Sequence, residues 1–162
     1  MVTETDLAHL RRAVELARDA YDAGDEPFGS LVVAADGGVL REDRNRTGQG
    51  DQTRHPEFEL ARWAAGHLPE PERATSTVYT SGEHCPMCSA AHAWVGLGRI
   101  VFAVSSAQLT RWRADWGYPP GPVEPLPVTE VAPGIPVAGP VSELEDEMIE
   151  LHRLAARRGS RP

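Results

Sequence analysis

Hydrophobic residues recur at three- and four-residue steps near the start of the chain, at Leu7, Leu10, Val14, Ala17 and Tyr21. This spacing predicts an amphipathic helix over about residues 6–22. Thr5 or Asp6 is placed to cap its start, and Gly24 and Pro27 end it. Two strands follow, Ser30–Ala34 and Val39–Glu42, joined by the turn sequence Asp36-Gly37-Gly38. The polar run Asp43–Arg54 predicts a loop, and Pro56–His67 a second helix with proline in its first turn. A Pro-containing connection, Leu68–Thr75, leads to a strand over Thr77–Thr80, a third helix over Pro86–Leu97 and a buried strand over Ile100–Val104. Pro119–Pro140 is rich in Pro and Gly and predicts a meander with one short strand near Ile135–Ala138. Val141–Arg157 closes as a helix with Leu144, Met148, Leu151 and Leu154 on one face.

Helices that alternate with strands after an opening hairpin predict a three-layer α/β/α sandwich on a mixed five-stranded sheet. The length of 162 residues fits a single domain over 1–162. No run of 18 apolar residues occurs, so no transmembrane helix is expected. The opening MVTETDLAHLRR lacks the basic-then-apolar order of a signal peptide, and a cytoplasmic location is expected. The net charge of −8 weakens the case for a nucleic-acid partner, because such binding draws on cations meeting phosphates. The pairs Arg11-Arg12 and Arg157-Arg158 read as solvated helix surface, and the one basic cluster of the tail is Arg153–Arg161.

Two segments carry candidate chemistry, Thr53-Arg54-His55-Pro56-Glu57 and Glu83-His84-Cys85-Pro86-Met87-Cys88, each where the chain enters a helix. A helix N-terminus carries partial positive charge and favours thiolate, the form that binds zinc. Cys85 and Cys88 are three apart, so both side chains can face one side of the first turn, and His55 can add a nitrogen. Three protein ligands leave a fourth tetrahedral position for water, the mark of a catalytic rather than a structural zinc. Glu57 lies two residues from His55, close enough to move protons there without ligating the metal. A redox CxxC is the first alternative, but the chain lacks an early βαβ context and that reading leaves His-x-Glu unexplained. A structural zinc closed by another His is the second.

These motifs resemble the cytidine deaminase-like zinc deaminases, whose signature is His-x-Glu followed by Cys-x-x-Cys. Pro27-Phe28-Gly29, Asn45 and Asp51–Glu57 are similar to the family's PFG, N and DPTAHAE, and Thr80–Cys88 to its TSxEPCPMC. The likeness is nearest to small guanine deaminases and bacterial tRNA adenosine deaminases. It covers about residues 6–105 and fades in a divergent Pro-rich tail with a C-terminal helix, from about residue 106. Two positions depart from the family: Pro56 stands for Ala and removes a backbone N–H, and His84 stands for Pro.

The resemblance implies one Zn2+ per chain held by His55, Cys85 and Cys88, with Glu57 as the catalytic proton carrier. It implies hydrolytic loss of ammonia from a small amino-substituted nucleobase, guanine first. Cytosine, pterins and amino-triazines are the variants, and tRNA adenosine is the nucleic-acid alternative. Asn45 would hydrogen-bond the base, Phe28 pack on its face, Asp115 bind it and Glu83 stand just outside the metal ligands. Without the resemblance, Asn45 reads as a loop cap, Phe28 as core and Glu83 as a helix-start carboxylate. Trp112 and Trp116 either roof the pocket or bury against the last helix. The family implies a homodimer, and the Pro-rich stretch would permit a swapped C-terminal segment.

Overall fold

In the computed structural model, which describes residues 1–159, the first helix starts earlier than its apolar stripe suggests. Helix α1 spans Glu4–Asp22, and its cap is Thr3, not Thr5 or Asp6. The Thr3 hydroxyl accepts from the Asp6 N–H at 3.1 Å, and the Asp6 carboxylate accepts from the Thr3 N–H at 2.8 Å. Asp6 is buried and ties the helix to the sheet through the Tyr79 hydroxyl at 2.8 Å and Arg99 at 2.9 Å. Burial opposes its charge, but the bonds from the Thr3 backbone, Arg99 and Tyr79 prevail and bring its carboxyl down to about 2.

After α1 come β1 (Gly29–Val33), β2 (Val39–Arg44), α2 (Pro56–His67), α3 (Glu70–Thr75) and β3 (Thr77–Gly82). Then follow α4 (Pro86–Val95), β4 (Arg99–Val104), α5 (Ser106–Asp115), α6 (Val128–Val131), β5 (Val137–Ala138) and α7 (Ser142–Gly159). The five strands lie in the order β2-β1-β3-β4-β5. β1 pairs antiparallel with β2 and β3, while β3, β4 and β5 run parallel, so the sheet is mixed.

Strand alternation sorts the core into two layers. Leu31, Val33, Tyr79, Val101 and Ala103 pack with residues of α1, α5 and α7. Val32 and Val78 face the other way, against Leu60, Ala61 and Ala64 of α2 and Leu97 after α4. That is the expected three-layer sandwich. Because both faces are covered, β1 is buried at every position, which explains why its sequence shows an apolar run. Gly29 allows α1 to lie close on β1: a Cβ there would sit 2.4 Å from Leu16 Cβ and 2.5 Å from the Ala13 carbonyl.

Several elements differ from the sequence expectation. Leu68–Thr75 is not only a connection, since α3 occupies Glu70–Thr75 with Pro71 in its first turn, where a missing N–H costs no helical bond. β2 runs on to Arg44, and Thr47–Gln49 forms a 3-10 turn within the expected loop. α4 stops at Val95 because Gly96 takes a left-handed φ of 74°. α5 is capped reciprocally by Ser105 and Gln108, and α6 interrupts the Pro-rich meander. β5 lies within the short strand expected near Ile135–Ala138. On α7, Leu144, Met148 and Leu151 are buried as expected, but Leu154 is half-buried and His152 and Ala155 complete the inner face. Among the described residues no helix is long and apolar enough to cross a membrane. Arg161, the last member of the expected basic cluster, lies outside the described residues.

Candidate active site and metal centre

The two ligand motifs meet because α2 and α4 begin side by side on one face of the sheet. His55 is the N-cap residue of α2 and Cys85 that of α4, both in extended backbone, with Cys88 in the first turn of α4. Cys85 Sγ and Cys88 Sγ are 3.5 Å apart, and each lies 3.6 Å from His55 Nδ1. Ligands at about 2.3 Å (sulfur) and about 2.0 Å (nitrogen) around a tetrahedral zinc stand about 3.5–3.8 Å apart, so the three atoms have the edge lengths of one tetrahedral face. The donor set therefore fits zinc, with both cysteines free. The hydrogen bond between Cys85 and Cys88 comes first among the causes that draw the Cys85 thiol down to about 4, helped by His55. The same bond, then burial, pushes the Cys88 thiol up. The hydrogen bond to Cys85 raises the His55 imidazole.

Glu57 sits one turn face away, buried at 6% exposure. Its Oε2 is 3.7 Å from Cys88 Sγ. Its Oε1 accepts from Ser30 Oγ at 3.0 Å and from Thr80 Oγ1 at 2.9 Å. Burial raises its carboxyl above the ordinary range, against the pull of His55 and the bond from Thr80. A buried carboxylate beside a metal face, and not part of it, suits proton transfer. Pro56 opens α2 at a position whose N–H has no helical partner, so the departure from Ala leaves the helix start intact.

The other expected residues have distinct surroundings. Asn45 is buried, and its Oδ1 accepts from Thr47 N–H at 2.9 Å and Thr47 Oγ1 at 2.7 Å, the contacts of a loop cap. Its backbone N–H donates to the Phe28 carbonyl at 2.9 Å, which links the two positions. Phe28 is half-buried, edge-on to His152 at 5.0 Å, and approaches Gly82 so closely that a Cβ there would lie 2.9 Å from its ring. Glu83 accepts from the N–H groups of Ser106 and Val128, at 2.9 and 3.0 Å, and so fastens the starts of α5 and α6 behind the Cys85 loop. Asp115 closes α5 with an exposed side chain, and among the described residues no hydrogen bond or ion pair joins it to the others. Trp112 is buried in the core cluster with Leu144 and Met148, and Trp116 packs on that cluster beneath Arg153. His84 is buried, edge-on to His92 at 5.2 Å, with neither ring nitrogen hydrogen-bonded.

Sequence reading did not single out Ser30 or the hydroxyl of Thr80. The available signal was a polar residue at the inward position of each of two apolar strands, which becomes meaningful only once β1 and β3 are in register, Ser30 opposite Thr80.

Residues 3–104 match the cytidine and deoxycytidylate deaminase zinc-binding region. A Schizosaccharomyces pombe protein named "Probable cytosine deaminase" is 35% identical over 156 residues, 94% of this chain and 93% of its own length. The guanine deaminase of Bacillus subtilis is 36% identical over 96 residues, 58% of this chain and 61% of its own. A solved structure in complex with 2,6-diaminopurine superposes with a TM-score of 0.72 at 25% identity, covering 97% of this chain and 84% of the other. That of guanine deaminase from Nitrosomonas europaea, at 22% identity, TM-score 0.71, and 97% and 86% coverage, shares the fold. Since the matched segment contains both ligand motifs and Glu57, the chain belongs to the cytidine and deoxycytidylate deaminase family of zinc-binding hydrolases.

Proposed function

We propose that the protein hydrolytically deaminates a free amino-substituted nucleobase, with cytosine ahead of guanine. The observation that carries the chemistry is Glu57, buried, with one oxygen held by two hydroxyls and the other 3.7 Å from Cys88 Sγ. Zinc, when held by His55, Cys85 and Cys88, supplies the Lewis acidity that makes water a nucleophile near neutral pH. Glu57 takes the proton of the attacking water and delivers it to the ring nitrogen. It then takes the remaining proton from the hydroxyl now on the ring carbon and passes it to the departing amine, so that the carbonyl forms as ammonia leaves and one carboxylate serves as base and acid in turn. Burial keeps its affinity for that proton high.

The resemblance in the ligand motifs puts guanine first. The likeness to the S. pombe protein extends through the tail over 94% of this chain, whereas that to the B. subtilis guanine deaminase covers 58%, which supports cytosine. Asn45 is our candidate base contact. Thr47 occupies its Oδ1, so Nδ2 is what it has to offer, and a donor suits the carbonyl oxygen that cytosine and guanine both carry. Phe28 is the candidate for packing on the ring, and Asp115 the candidate contact under the guanine reading. The net charge of −8 supports a small substrate over RNA. We place the enzyme in the cytoplasm, where its two free cysteines stay reduced. The homodimer belongs to the same reading, and Trp94, 89% exposed on α4, is the side chain whose change to Glu tests it by light scattering.

The test is ammonia release from cytosine, guanine, adenine, ammeline, a pterin, cytidine and a tRNA anticodon stem-loop, with Glu57→Gln as control. Cytosine turnover that the variant lacks is the expected result. Turnover of guanine alone moves the assignment to a purine, and turnover of the stem-loop alone overturns the small-substrate reading.

A further inference from the structure

Ser30 and Thr80 are register partners on β1 and β3, and both side chains point to the α2 face, as do Val32 and Val78 on the same strands. Both are completely buried. Their hydroxyls lie 2.8 Å apart and converge on one atom, Glu57 Oε1, at 3.0 and 2.9 Å. Thr80 Oγ1 is also 2.9 Å from the Gly82 carbonyl. Two hydroxyls own two hydrogens, and an ionised carboxylate is their strongest acceptor here. The consequence is asymmetric: Oε1 is held from the sheet side by two donors, while Oε2 faces Cys88 of the metal triad.

A glutamate side chain has three rotatable bonds, and a proton carrier is useful only in the orientation that meets both water and substrate. Fixing that orientation before the reaction removes a cost that would otherwise fall within the barrier. We propose that Ser30 and Thr80 are positioning residues for Glu57, a paired-hydroxyl cradle that holds Oε1 and thereby makes Oε2 the oxygen that exchanges protons with water and base. This rests on the deaminase reading, in which Glu57 carries the protons. Neither hydroxyl touches the metal ligands or moves a proton itself.

The variants are Ser30→Ala, Thr80→Val and the pair together, with Thr80→Ser as the conservative control. Wild type and Glu57→Gln are run first on the substrate panel, so that failure of the deaminase reading is seen by itself. Where wild type turns over a base, each single variant is expected to lose about 10-fold in kcat with KM within about threefold, an orientation effect and not a binding effect. The double variant loses about 100-fold at most, and Thr80→Ser returns to near wild type. Zinc content stays at the wild-type level in all of them. Independently of activity, crystal structures of the zinc-loaded proteins are expected to show one Glu57 orientation in wild type and more than one in the double variant. An unchanged kcat in the double variant overturns the proposal, as does a single Glu57 orientation there. A loss of zinc that accounts for the loss of rate overturns it too, because the hydroxyls would then support the metal centre and not the carboxylate.

Discussion

Glu83 holds the backbone N–H of Val128 at 3.0 Å across forty-five positions of chain. Its other oxygen holds the N–H of Ser106 at 2.9 Å, so one carboxylate, two residues before Cys85, fastens the first turns of two later helices. Glu83→Ala leaves both N–H groups without this partner and is expected to lower stability by about 2–4 kcal/mol. Glu83→Gln keeps one carbonyl acceptor and should lose about half as much. Urea denaturation at pH 7 measures both. A wild-type midpoint for the Ala variant would show that water replaces the carboxylate without cost.

Each ligand motif was legible because it is local: three-residue spacing puts Cys85 and Cys88 on one turn and each segment opens a helix, whereas only the packing of α2 beside α4 brings His55 to the two thiols. The sandwich was legible because helices and strands alternate. What escaped depends on pairings that no local pattern carries. Ser30 and Thr80 become neighbours only through the β1–β3 register, and Glu83 meets Val128 only after the tail folds back. α5 escaped because only Leu109 and Trp112 supply large buried apolar groups there, too few to mark a stripe. For the same reason the open choice for Trp112 was settled by packing: its indole joins Leu144 and Met148 of α7.

Glu57→Gln separates chemistry from construction. Gln keeps a carbonyl that accepts from Ser30 and Thr80, and it places no charge in a buried site. Thermal stability is therefore expected at or above the wild-type value, with zinc retained. Turnover should fall by about 100- to 10,000-fold, the range for losing a general acid–base. Differential scanning calorimetry, metal analysis and ammonia release give the three readings. A variant that keeps its zinc and its rate would exclude Glu57 as the proton carrier.

Zinc should contribute to stability through a site that joins the starts of α2 and α4. A ligand present at about a thousand times its Kd adds about 4 kcal/mol, so chelation should lower Tm by several degrees. Cys88→Ser should bind zinc poorly, since it replaces a fully buried thiol, and its Tm should respond little to chelator. Native mass spectrometry follows the stoichiometry. Wild-type zinc content in this variant would remove Cys88 from the ligand set.

Acid should weaken the fold through buried imidazoles outside the metal ligands, His152 and His92 among them. His152 is 3% exposed, edge-on to Phe28, and its Nε2 has no hydrogen-bond partner. Burial first, then the positive charge of Arg113, holds it down at about 3. His92 is held at about 4 by burial, in spite of the bond to the Gly98 carbonyl. In the unfolded chain both titrate near the ordinary 6.5. Below that pH the unfolded chain binds protons that the native protein does not, so stability is full above pH 6.5 and falls as pH drops toward 4. Each group adds a slope of about 1.4 kcal/mol per pH unit in that window. His152→Leu should flatten the profile by one such slope. Zinc release also destabilises in acid, but it is common to both proteins, so the difference between their profiles isolates His152. Urea denaturation at pH 7, 6 and 5 supplies the measurement, and identical slopes would mean that His152 accepts its proton while the protein is still folded.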